Sequence, residues 1–118
     1  MMKRTLMIGA ALLLTACSAP APRAHADDFA ITVNRTAKIG TWTTEITFTL
    51  ENKSATDFAH VGVNCALLDE SGAPVVVGVG VVANVGANSK TFGSATAFME
   101  QPHPWKTVSC RTTDAIRK

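Results

Sequence analysis

Few side chains in this sequence are equipped for chemistry, and most of those stand alone. Three thiols occur, Cys17, Cys65 and Cys110. None belongs to a C-x-x-C pair, so nothing local lowers a thiol pKa for redox work. The histidines His25, His60 and His103 share no metal-ligand spacing, and no metal or other cofactor is expected. Asp69 and Glu70 are adjacent carboxylates, but neighbouring turn residues point apart, which suits a solvated turn better than an acid–base pair. No G-x-S-x-G, H-E-x-x-H or phosphate-binding loop is found, and Gly78-Val79-Gly80 lacks the strand-to-helix setting of a nucleotide site. The residue set reads as that of a protein that is not an enzyme. The most suggestive surface group is Trp105, which follows Pro102, His103 and Pro104. A rigid proline-rich loop presenting Trp105 and His103 suits a protein partner. The competing reading has Trp105 plugging the end of the fold.

The remaining thiol, Cys17, belongs to the amino-terminal leader. Lys3 and Arg4 precede a short apolar run over residues 6–14, too short to span a bilayer as a helix. The run ends in Leu14-Thr15-Ala16-Cys17. Charge, apolar run, small residues and cysteine in this order resemble the lipobox of bacterial lipoproteins. The resemblance implies that Cys17 takes a diacylglyceryl group on its sulfur and becomes the first residue of the mature chain. An ordinary cleavage after Ala24-His25-Ala26 is the alternative. The lipobox reading divides the chain into a signal peptide (1–16), a lipidated cysteine with a tether (17–28) and a domain (29–118). The Ala- and Pro-rich tether cannot bury a core, and its eleven residues after Cys17 reach about 30–35 Å. Ser18, which is not the Asp that resembles an inner-membrane retention signal, leads us to expect the outer membrane, facing the periplasm.

Removing the leader also removes the net charge. The whole chain has 11 Lys and Arg against 9 Asp and Glu. Without Lys3 and Arg4 the counts are equal, and no basic cluster survives to meet nucleic acid. Export further leaves Cys65 and Cys110 as the two unmodified thiols, and an oxidising compartment favours joining them. Closing that loop is worth about 4 kcal/mol in the chain-entropy account.

The elements that position these residues read as strands. Over residues 41–51, Trp42, Thr44, Ile46, Phe48 and Leu50 alternate with Thr43, Glu45, Thr47, Thr49 and Glu51. Over 58–69, Ala59, Val61, Val63, Cys65 and Leu67 share one face. Period-2 alternation in both, joined by a polar turn, predicts antiparallel neighbours in a sheet. A first short strand is expected over 29–34, followed by a connection through residue 40. The most apolar stretch, 74–85, places Val75, Val77, Val79, Val81, Ala83 and Val85 on one face. Gly78 and Gly80 then fall at outward positions, where they either admit another backbone or a bulge, or leave a flat surface for a partner. A strand over 90–99, a break at the prolines and a last strand over 105–113 complete the reading, with 115–118 as a fraying tail.

Six or seven short strands without helical periodicity predict an all-β sandwich. Three pieces resemble the FxLYD-type immunoglobulin-like domains of bacterial envelope proteins. They are Leu50-Glu51-Asn52-Lys53-Ser54, then Leu67-Leu68-Asp69-Glu70-Ser71-Gly72, then Val85-Gly86-Ala87-Asn88-Ser89-Lys90-Thr91-Phe92. Leu68 stands where that family usually has Tyr, and its Phe is absent from the matching place. The resemblance implies an immunoglobulin-like antiparallel β-sandwich in the cell envelope and no particular chemistry. The expectation is a lipid-anchored, non-enzymatic module that meets an envelope protein. The alternative is a small periplasmic inhibitor or ligand-binding protein that works through its loops.

Overall fold

A computed structural model describes residues 28–101 and 103–118. The leader, Cys17, His25, most of the tether and Pro102 lie outside the described residues.

The described chain is all-β. Its six strands are β1 (Phe29–Lys38), β2 (Thr43–Asn52), β3 (Phe58–Leu68), β4 (Pro74–Val85), β5 (Ser89–Phe98) and β6 (Thr107–Arg117). They form one antiparallel, curled sheet in the order β1-β2-β5-β4-β3-β6, whose outer strands β1 and β6 come into contact. The alternation expected in β2 holds throughout: Thr44, Ile46, Phe48, Leu50 and Asn52 are all buried. In β3, Val61, Val63, Cys65 and Leu67 are fully buried. Both rows feed one core, joined by Phe29, Phe58, Val82, Val85, Ala95 and Ala97. Burial of these side chains, at roughly 1.5–3 kcal/mol for each large one, is the main force holding the sheet curled.

The two strands are not neighbours, contrary to the sequence reading. β2 pairs with β1 and β5, whereas β3 pairs with β4 and β6. The connection after Asn52 carries the chain to the far half of the sheet instead of turning back. Asn52 directs this. Its amide donates to the carbonyls of Thr56 (2.8 Å) and Gly86 (3.0 Å), and its Oδ1 accepts from the backbone and hydroxyl of Ser54 (3.0 and 2.7 Å). The inner faces of β2, between Thr44 and Asn52, and of β3 are apolar, and the curl lets the two rows share one interior.

Three boundaries also move. β1 continues to Lys38, with a register shift between Val33 and Arg35, so the expected connection over 35–40 is mostly strand. β6 begins at Thr107 and runs through the supposed tail, since Ala115 pairs with Val61 and Arg117 with Phe58. Pairing with β3 supplies backbone bonds that residues 114–117 do not advertise in their sequence. In β4 the alternation is inverted. Gly78 and Val82 are buried, while Val77, Val79 and Val81 face solvent. A Cβ on Gly80 would collide with the Ser94 carbonyl oxygen, and one on Gly78 would lie 3.0 Å from the Thr96 carbonyl carbon. The glycines face inward because the β5 backbone occupies the space their side chains would need. At Asn84, φ of 57° breaks the alternation and lets Val85 turn into the core.

The remaining turns follow their residues. Gly72 takes φ of 88° in the β3–β4 turn, as a tight turn of this kind requires, and Asn88 takes φ of 50° before β5. Cys65 and Cys110 lie directly opposite on β3 and β6 and are joined by a disulfide, with Cα atoms 4.0 Å apart.

Candidate functional site

One end of the sheet gathers three connections. They are the β1–β2 turn, the β3–β4 turn and the longer β5–β6 connection. Backbone bonds hold them together: Ile39 N–H donates to the Thr43 carbonyl (3.0 Å), Met99 N–H to Trp42 (2.8 Å) and Lys106 N–H to Leu68 (2.7 Å). The proline-rich connection is thereby held at both ends.

Between the β1–β2 turn and the β5–β6 connection lies a cleft of about 400 Å³. Trp42 and Trp105, the only tryptophans in the chain, both line it, with Met99, His103, Pro104 and Lys38. Trp105 also packs against the core, so it closes the end of the sheet and presents a face to the cleft. The plugging reading describes this packing, and part of the ring is left open to the cleft. Trp42, expected in the core by its phase with Thr44 and Ile46, is instead 43% exposed. It precedes β2, where the chain is still turning, so the strand alternation does not govern it.

His103, Pro104 and Trp105 are shared with an adjoining depression of about 570 Å³. Its other wall is the β3–β4 turn, with Asp69, Glu70, Ser71 and Lys106. Asp69 is occupied by its own turn. Its Oδ1 accepts from the Ser71 hydroxyl (2.6 Å), the Ser71 N–H (2.9 Å) and the Ala73 N–H (3.0 Å). These donors, the Ser71 hydroxyl foremost, hold its carboxyl below the usual carboxylate range, and the nearby His103 adds to the effect. Glu70 meets only Lys106, at 4.0 Å and well exposed, a contact of little energetic weight. The two carboxylates thus serve a turn and a solvated surface.

His60 lies on the outward face of β3, toward the other end of the sheet, so the structure does not bring it to His103. Among the described residues no three His, Cys, Asp or Glu side chains gather as metal ligands. Gly78 and Gly80 do not line the cleft and face the interior.

The outward surface that the glycines were expected to form belongs to their neighbours. Along the join of β4 and β5, Val77, Val79 and Val81 stand beside Phe92 and Phe98, which are 81% and 73% exposed. The inward positions of β5 are held by Gly93, Ala95 and Ala97, and the small residues force the aromatic ones out. Exposed apolar residues in a contiguous group mark an interaction surface more often than scattered ones do.

Comparison of the chain with protein-family models, with curated proteins and with solved structures finds no match in any of the three.

Proposed function

We propose that this protein is a non-enzymatic lipoprotein of the cell envelope, whose folded part is a protein-interaction or accessory module. In this reading the leader directs export, Cys17 carries lipid, and residues 17–28 tether the domain to the outer membrane on its periplasmic side. The domain itself we read as an immunoglobulin-like sandwich. Its halves are β1-β2-β5 and β4-β3-β6, joined at the bridged pair Val79 and Thr96. The Cys65–Cys110 disulfide is in keeping with an oxidising compartment.

The observation that carries the interaction role is the convergence of Trp42 and Trp105 on one cleft beside His103 and Pro104. Tryptophan in a rigid, part-desolvated setting is a common anchor of protein interfaces. The test is cross-linking and affinity capture from intact envelopes, with Trp105→Ala as comparison. A partner recovered with the wild type and lost with the variant is the expected result. Recovery of none from either removes the main support. Labelling with palmitate, with Cys17→Ala as control, tests the anchor separately, and label persisting in the variant refutes it.

The size of the cleft also favours a second reading, in which the loops take a small ligand or block an enzyme. A volume near 400 Å³ lies within the range of small-molecule sites. Saturable quenching of tryptophan emission by a low-molecular-weight envelope extract would support it.

A further inference from the structure

We propose that the apolar face along the β4–β5 join binds a second copy of this chain, each copy seating Phe98 in a groove on the other. The groove lies on the outward face of β3, β4 and β6 and has a volume of about 320 Å³. Ala66 is its floor, Val77, Leu68 and Pro74 are apolar walls, and Asn64 and Arg111 supply polar groups.

The strand register shows why the partner is a second copy. Ala37, Glu45, Thr96, Val79, Asn64 and Arg111 stand side by side in one row across all six strands. Two residues along, Thr43 stands beside Phe98, and Val77 beside Ala66. Continuing the Val79–Thr96 register places Phe98 beside Val77. Consider two copies face to face, related by a twofold axis that runs parallel to the strands along the join. That operation exchanges β5 with β4 and β2 with β3. Phe98 then lies over Val77 and Ala66 of the second copy, at the groove. Glu45 lies over Asn64 of the second copy and beside its Arg111. Each contact occurs twice, so the assembly closes at two. An aromatic ring beside a guanidinium and a carboxylate near the same group are both favourable.

The charges of the face suit a second copy. Glu45 and Glu51 on β2 share the outward side with Lys90 on β5 and Arg111 on β6, so a copy turned over on this face meets both signs and sets Glu45 beside Arg111. Its extent also fits a dimer. The five exposed side chains offer roughly 500–600 Å² per copy, given ~150–250 Å² for a whole aromatic side chain and less for valine. Two such faces with their rims reach roughly 1,200 Å², where specific interfaces begin. The dimer is accordingly weak and reversible.

The test uses the full chain in intact cells, with p-benzoylphenylalanine in place of Phe98 and two epitope tags on co-expressed copies. Irradiation is expected to give an adduct of twice the chain mass carrying both tags, with the cross-link in the groove segments around Ala66, Val77 or Arg111. Ala66→Trp fills the groove from its outward side and should lower the adduct at least tenfold while the Cys65–Cys110 disulfide still forms. Arg111→Glu should lower it also, and Glu45→Arg in the same chain should restore it. A doubly tagged adduct that neither Ala66→Trp nor Arg111→Glu reduces overturns the proposal. So does an adduct only to lipid or to a different protein.

Discussion

The side-chain amide of Asn52 donates to the carbonyl of Gly86 across 34 positions of sequence, at 3.0 Å, and joins the end of β2 to the β4–β5 turn. Asn52 is wholly buried, and its two other partners, Thr56 and Ser54, belong to the β2–β3 connection. The residue therefore sets the crossing that separates β2 from β3. Asn52→Ala leaves Gly86 and Thr56 short of a donor and should cost about 2–3 kcal/mol. Urea denaturation monitored by tryptophan emission measures it. Asn52→Asp should cost more, since it replaces the two donors with a buried charge.

The glycines of β4 make a graded prediction. Gly80→Ala drives a methyl group into the Ser94 carbonyl and should destabilise by about 3 kcal/mol, near the upper end of ordinary overpacking. Gly78→Ala meets backbone atoms of Thr96 and Ala97 at 3.0–3.1 Å and should cost about 1 kcal/mol. Val79→Ala, which changes only an exposed side chain, should leave stability within about 0.5 kcal/mol. Equal costs at positions 79 and 80 in thermal unfolding would contradict the inward placement of the glycines.

Loss of the disulfide should be costly for so small a domain. Cys65 and Cys110 close a loop of 45 residues. Reduction, or Cys110→Ala, should lower stability by about 4 kcal/mol through the freedom returned to the unfolded chain. Denaturation midpoints with and without reductant measure this.

Asp69 predicts an acid limb. Its folded pKa is depressed below the ordinary 3.8, so it contributes stability that is present above that value. The contribution is lost as the pH falls through the lower, folded value. Wild-type stability should thus decline below about pH 4 more steeply than that of Asp69→Asn, which has no proton to take up. Thermal midpoints at pH 5 and pH 2.5 for both proteins test the sign. A parallel decline in the two would show that Asp69 is not the group responsible.

The parts of the fold that were legible in the sequence are those governed by local alternation. Ile46, Phe48 and Leu50 in β2, and Val61, Val63 and Cys65 in β3, alternate with polar or small residues, and each strand could be phased alone. The pairing of β2 with β5 could not, because Asn52 and its carbonyl partners act at long range. Valines on both faces of β4 gave no polar side to read, so its inward face was decided by the β5 backbone. Positions 114–117, read as the strand's end and a tail, concealed the last part of a paired strand. At the candidate site, Trp105 and His103 were visible as a proline-framed loop. Trp42 was missed because its phase with β2 was extended past the strand's first residue, although Gly40 and Thr41 mark a turn there.

The direction in which β1 enters the sheet has a further consequence. Phe29 pairs with Asn52, and the Asp28 carbonyl accepts from Lys53 N–H, so the chain arrives at the pole opposite Trp42 and Trp105. Strands of ten or eleven residues separate the two poles by roughly 30 Å. Both indole rings thus sit at the pole farthest from the point where the tether of the proposed lipid anchor joins the domain.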